Sequence, residues 1–161
     1  MLRVTVLASG SKGNAIYVEL DGIRMLVDAG ISAARITKRL QAHGIDPKSL
    51  DALLITHEHI DHVRGLKTFT RQYHVPIFAT SGTLSHIPGG GMFSKYMQSI
   101  TESIPIGNVM VHPFPILHDA VDPCGFRITG SYSCTIATDL GVVTDTVQNA
   151  IEDSDVLILE A

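Results

Sequence analysis

Apolar residues fall in short alternating or continuous runs along most of the chain, and glycine- and aspartate-bearing turns separate them. Arg3-Val4-Thr5-Val6-Leu7 and Ala15-Ile16-Tyr17-Val18-Glu19-Leu20 read as strands on either side of Ser9-Gly10-Ser11-Lys12-Gly13-Asn14. Asp21-Gly22 predicts a tight hairpin turn into Ile23-Arg24-Met25-Leu26-Val27-Asp28, because glycine tolerates the positive φ such turns require. Ser32 is placed to cap a helix across Ala33 to Ala42, with Ile36 and Leu40 on one face and Gly44 ending it. Asp46-Pro47 then turns the chain into the apolar strand Ala52-Leu53-Leu54-Ile55. Residues 62–73 read as a helix with Val63, Leu66, Thr70 and Tyr73 on one side, and Val75-Pro76-Ile77-Phe78 as a further strand.

From Ser81 to Pro105 the pattern is weak, and Gly89-Gly90-Gly91 marks a flexible connection, read as a functional or poorly ordered loop. Strands resume at Val109-Met110-Val111, Cys124-Gly125-Phe126-Arg127-Ile128 and Cys134-Thr135-Ile136-Ala137. Thr144 caps a short helix to Ala150 or Ile151, and the last strand runs from Asp155 to Ala161. Hairpins first and strand–helix units after predict an α/β fold of layered sheets with helices outside.

The chemistry concentrates in Thr56-His57-Glu58-His59-Ile60-Asp61-His62, directly after an apolar strand. Imidazole and carboxylate are ligands for zinc, manganese or iron, and packing them this densely is costly unless a cation offsets their repulsion. On a helix His57 and His59 would lie on opposite sides. In an extended segment residues two apart share a face, so His57, His59 and Asp61 converge. A zincin-type His-Glu-x-x-His helix would need histidine at position 61, where this chain has Asp61.

The pattern His-x-His-x-Asp-His after a buried strand resembles the signature of the metallo-β-lactamase superfamily. Two further positions match that family's ligands: His118 in Pro115-Ile116-Leu117-His118-Asp119-Ala120, and Asp139 in Ala137-Thr138-Asp139-Leu140-Gly141. The resemblance implies an αββα sandwich with two divalent metal ions, zinc first and manganese or iron as alternatives. His57, His59 and His118 would hold one ion, Asp61 and His62 the other, and Asp139 would be shared. The family closes its second site with a histidine beyond the strand that ends this sequence. The chain is therefore expected to form one domain over 1–161, cut short at its C-terminus and lacking one edge of its second sheet.

Three segments taken together, Ser9–Asn14, Val27-Asp28-Ala29-Gly30 and His118-Asp119-Ala120-Val121-Asp122-Pro123, are similar to the YycJ/WalJ branch of the superfamily. Members of that branch are described as metal-dependent hydrolases with nuclease, especially DNA exonuclease, activity. The resemblance thus implies a phosphodiester substrate, nucleic acid foremost, and Asp61 as the group that accepts the proton of the attacking water. The rival readings are thioester or lactam hydrolysis of the glyoxalase II kind, and a metal-binding but inactive fragment. Ser11, Lys12, Gly13 and Asn14 read either as a phosphate-contacting loop or as a plain turn. Asp28 reads as a partner that orients a ligating imidazole or as a turn residue, and Asp119 as a similar partner or a solvated one. Arg64, Lys67 and Arg71 recur at helical spacing beside the ligand run, as a solvated face or a grip on a phosphate backbone. His43, His74, His86 and His112 read as structural.

Composition narrows the rest. A chain of 161 residues that is 45% hydrophobic excludes a disordered protein. No apolar run approaches the roughly 20 residues of a membrane helix, and the start lacks a signal-peptide pattern, which predicts a cytoplasmic protein without membrane contact. Cys124 and Cys134 make no Cys-x-x-Cys pair and read as packing residues. The net charge of −4 is uneven: residues 1–75 sum to +3 and residues 76–161 to −7. Oligomeric state has no signature here.

Overall fold

The computed structural model describes residues 1–160. Three strands, β1 (Leu2–Ala8), β2 (Ala15–Leu20) and β3 (Ile23–Val27), form an antiparallel meander. After helix α1 (Ala33–Ala42) come β4 (Ala52–Leu54), α2 (Ile60–Val63), α3 (Leu66–Tyr73), β5 (Ile77–Ala79), α4 (Ser81–Ser85) and β6 (Met97–Ser99). The first sheet has the order β1-β2-β3-β4-β5-β6, with β3 to β6 parallel. The second comprises β7 (Ile104–Ile106), β8 (Val109–Pro115), β9 (Cys124–Thr129), β10 (Ser133–Ala137) and β11 (Val156–Leu159), in the order β11-β10-β9-β8-β7. It is antiparallel except for the β10–β11 pair, which α5 (Asp145–Ile151) connects.

Period-two alternation builds the layers, since successive side chains on a strand point to opposite faces. Ile16, Val18, Met25, Val27, Ala52 and Leu54 meet Val109, Val111, Phe126, Ile128, Cys134 and Ile136 between the sheets. Their neighbours Tyr17, Leu26, Leu53 and Ile55 face the other way and pack with Ile36 and Leu40 of α1 and Leu66 and Phe69 of α3. Beyond the second sheet, Val147 of α5 closes a smaller cluster with Phe114, Ile116, Ala137 and Leu140. The result is helix, sheet, sheet, helix. Both cysteines are unpaired and buried within the middle layer.

Local chemistry sets the boundaries. The Ser32 side chain accepts from Arg35 N to cap α1, and Gly44 leaves the helix with φ +74°. The single helix expected over 62–73 is divided at Gly65. Its N–H donates to Ala29 O at 2.8 Å, and a Cβ there would lie 2.1 Å from Ile31 O, so tertiary approach breaks the helix where only glycine fits. The buried stripe of α3 is Leu66, Phe69 and Thr70, with Tyr73 half-buried. Strand β5 starts at Ile77 rather than Val75, past Pro76, which has no N–H to give. Strand β8 runs through Pro113 to Pro115 because β7 pairs only with Val109–Val111, leaving that side of the later residues open. The segment 81–105 contains α4, two 3₁₀ turns, β6 and β7, none longer than five residues. The final strand covers Val156–Leu159, and Ala161 lies outside the described residues. Among the described residues, no helix is long and apolar enough to cross a membrane.

Candidate metal centre

The parallel strands of the first sheet all end at one edge, which is where open α/β sheets place their ligands. Strand β3 delivers Asp28 there and β4 delivers the run 56–62. The second sheet brings His118 after β8 and Asp139 after β10. The nitrogens of His57, His59 and His118 lie within 4.8 Å of one another, and so do the ligand atoms of His57, His62 and Asp139. His57 belongs to both groups. His118 Nε2 is 3.3 Å from His59 Nδ1, and Asp139 Oδ2 is 2.7 Å from His62 Nε2 and 3.4 Å from His57 Nε2. The Asp61 carboxylate stands 3.7 Å from His62 Nε2. All six side chains therefore meet at this edge.

Buried hydrogen bonds orient two of the imidazoles. Asp28 is 1% exposed and left-handed, with φ +64°. Its Oδ1 accepts from Thr56 N at 2.8 Å, and its Oδ2 accepts from Thr56 Oγ1 at 2.8 Å and from His62 Nδ1 at 2.6 Å. With its proton given to Asp28, the Thr56 hydroxyl accepts from His57 Nδ1 at 2.9 Å. Both rings then carry hydrogen on Nδ1 and turn Nε2 inward.

His57 Nε2 is buried and has no hydrogen-bond partner, an unusual state for a polar atom. Burial, followed by the charge of His62, pushes His57 down to about 4, so it is neutral and its lone pair is free. Burial alone would lower His62 as well, yet the charge and hydrogen bond of Asp28, then Asp61 and Asp139, push it up to about 9. A lone pair on His62 Nε2 would face the Asp139 carboxylate at 2.7 Å, a repulsion that a proton or a metal ion between them relieves. This donor set, imidazole nitrogen with carboxylate oxygen around an unpartnered buried nitrogen, fits a divalent metal.

Of the remaining candidates, Asn14 is buried. Its Nδ2 donates to Gly10 O at 3.0 Å and lies 3.3 Å from Asp61 O and 3.2 Å from His62 Nε2. Gly13 N is occupied by Gly10 O, and of the four candidates 11–14 Ser11 and Lys12 are exposed while Gly13 and Asn14 are buried. Asp119 is exposed, with no side-chain hydrogen bond among the described residues. His74 bonds Tyr96, His86 bonds Ser85, and His112 lies between Ser103 and Thr129.

Three contributors carry no role in the sequence reading. Thr56 couples Asp28 to His57. Glu58 points away from the cluster and accepts from Val121 N at 3.1 Å, tying the ligand run to the loop after His118. Gly30 is the third: a Cβ there would lie 1.7 Å from Asp61 O. Gly30→Ala is expected to cost about 3 kcal/mol of stability by driving the two loops apart. Denaturant melts measure it, and a loss below about 1 kcal/mol would show that the contact yields easily.

A two-sheet sandwich flanked by helices, with histidines and aspartates gathered at the carboxyl edge of its strands, defines a class of metal-centred proteins. The chain belongs to the β-lactamase superfamily: the family model described as Beta-lactamase superfamily domain matches residues 23–161. It is 34% identical over 170 residues to Exodeoxyribonuclease WalJ of Streptococcus pneumoniae and 30% identical over 165 residues to Exodeoxyribonuclease YycJ of Bacillus anthracis. In both cases 99% of this chain is aligned, and it spans 62% of the relative's length. The metallo-β-lactamase fold protein YhfI of Bacillus subtilis superimposes with a TM-score of 0.75 at 20% identity, over 97% of this chain and 69% of that one. That likeness is one of fold.

Proposed function

We propose that residues 1–161 form one metal-binding domain and that the protein is a dinuclear metal-dependent phosphodiesterase acting on DNA. His57, the residue common to both ligand groups, carries this reading through its buried, unpartnered Nε2. His57, His59 and His118 would hold one ion and Asp61 and His62 the other, with Asp139 as a ligand available to both. Zinc suits the set, and manganese or iron can replace it. When bound, divalent ions supply a water of lowered pKa and stabilise charge on a phosphoryl oxygen.

The chain's own residues do the rest. Asp28 and Thr56 hold hydrogen on Nδ1 of His62 and His57, keeping the opposite nitrogens available. The Asp61 carboxylate is 27% exposed and stands 3.7 Å from His62 Nε2, which supports Asp61 as the group that accepts the proton of an attacking water. The identity with two exodeoxyribonucleases over nearly the whole chain supports the choice of DNA.

The test compares bis-p-nitrophenyl phosphate with S-lactoylglutathione after loading with zinc or manganese. Turnover of the phosphodiester is expected, and turnover of the thioester alone would overturn the proposal. Metal removal gives a separate measurement. An ion at about 100 times its Kd stabilises the fold by about 2.7 kcal/mol. Chelation is therefore expected to lower the Tm by several degrees, and re-addition to restore it.

A further inference from the structure

The helical layer over the first sheet is cationic without compensation. Residues 29–45 contain Arg35, Lys38 and Arg39, residues 62–101 contain Arg64, Lys67, Arg71 and Lys95, and neither stretch contains an aspartate or glutamate. Both α1 and α3 fall within them. Arg35, Lys38, Arg64 and Arg71 are exposed, and among the described residues none has a carboxylate within ion-pair distance. The later part of the chain has the opposite sign: residues 102–160 carry nine carboxylates against the single cation Arg127, with Asp139 at the candidate centre and Asp122 against Gly82 of α4.

This layer begins at the candidate metal centre. Gly65, at the start of α3, abuts the entrance of α1, and Ala29 N donates to His62 O at 2.8 Å. From there the helices travel together, with Thr37 and Tyr73 hydroxyls 3.0 Å apart. Arg64 caps the end of α2, at the junction nearest the centre, and Arg71 lies in the last turn of α3, so the two cations mark the near and far ends of this row. The outward faces carry no large apolar side chain, which separates them from a lipid-binding face.

We infer that the outward faces of α1 and α3 bind the sugar-phosphate backbone of the substrate nucleic acid and lead its strand to the centre, an inference that rests on the phosphodiesterase reading. Arg35 and Lys38 form one row of contacts, Arg64 and Arg71 the other. Lys12, exposed on the loop that Asn14 fastens to Asp61, extends the field to the rim of the site. Such contacts are independent of base sequence and release counterions, so affinity falls steeply with salt.

The test is the triple variant Arg35→Gln, Lys38→Gln, Arg71→Gln, with Lys48→Gln as control. Lys48 precedes β4, at the opposite end of that strand from His57. DNA binding is read by fluorescence anisotropy in EDTA, so no cleavage intervenes, from about 50 to 200 mM salt. The triple variant is expected to lose at least about tenfold in affinity and to reduce the slope of log K against log salt by about 2 to 3, while the control matches the parent. Its kcat/KM on bis-p-nitrophenyl phosphate is expected to stay within about twofold of the parent, since that ester is too small to reach the helices. Unchanged affinity and slope would overturn the inference, as would binding to anionic vesicles but not DNA. Binding decides the inference whichever way hydrolysis falls. Failure of the metal-loaded parent to hydrolyse any phosphodiester would count against the proposed function instead.

Discussion

Asp61→Asn is expected to lower kcat on a phosphodiester by about 10³-fold while leaving the fold intact. The two ends of this residue do different work. Its backbone carbonyl accepts from Asn14 N at 2.8 Å and lies against Gly30, and asparagine keeps that carbonyl. Its carboxylate makes only long approaches, 3.5 Å to Asn14 Nδ2 and 3.7 Å to His62 Nε2, so the fold depends little on its charge. The amide cannot accept the proton of an attacking water and is a weaker metal ligand. Stability should stay within about 1 kcal/mol of the parent by denaturant melt. Metal content measured beside kcat separates lost proton transfer from a lost ion. Activity within about tenfold of the parent at full metal content would remove Asp61 from the proposed role.

Legibility of the site follows the range of the signals. The run 56–62 stands out because that many imidazoles and carboxylates within seven residues has few other physical explanations. His118 and Asp139 lie about sixty and eighty positions further on, and no local spacing ties them to the run. Only the family resemblance singled them out, and only the packing of one sheet on the other brings them to it. Asp28 was open between a turn residue and a support for a histidine, and the structure makes it both: its positive φ turns the chain and its carboxylate accepts from His62. Thr56 bonds both Asp28 and His57, and Asn14 bonds Gly10 and Asp61, but such short polar side chains are too common for their spacing alone to reveal those partners.

The fold divides in a similar way. Where a strand is buried on both faces, as β2 and β4 are, the continuous apolar run is strong enough to read. Where elements shrink to three residues, as β6 and β7 do, neighbouring strands sustain them and their own pattern is too short to register. The break at Gly65 belongs to the same category. Glycine within a helical pattern is tolerated, and only the closeness of Ile31 O makes it an interruption.

Asp28→Asn should separate orientation of the ligands from ligation itself. Asparagine tolerates the left-handed conformation at this position and retains one oxygen for Thr56 N. Its amide nitrogen, however, would replace an acceptor with a donor opposite His62 Nδ1. The imidazole answers by accepting there and moving its hydrogen to Nε2, where it donates to Asp139 Oδ2, now 2.7 Å away. That tautomer cannot bind a metal through Nε2. Affinity for zinc, measured by competition with a chelator, is expected to fall about 10- to 100-fold, the usual effect of removing a carboxylate behind a ligating histidine. Asp28→Ala goes further, because it orphans three donors at once in a buried place and is expected to destabilise the fold by about 3 to 5 kcal/mol. The pair of variants therefore differs in kind: one keeps the fold and loses metal, the other loses both. Parental zinc affinity in Asp28→Asn, with nitrogen NMR showing His62 still protonated on Nδ1, would mean that the carboxylate does not govern the ligand.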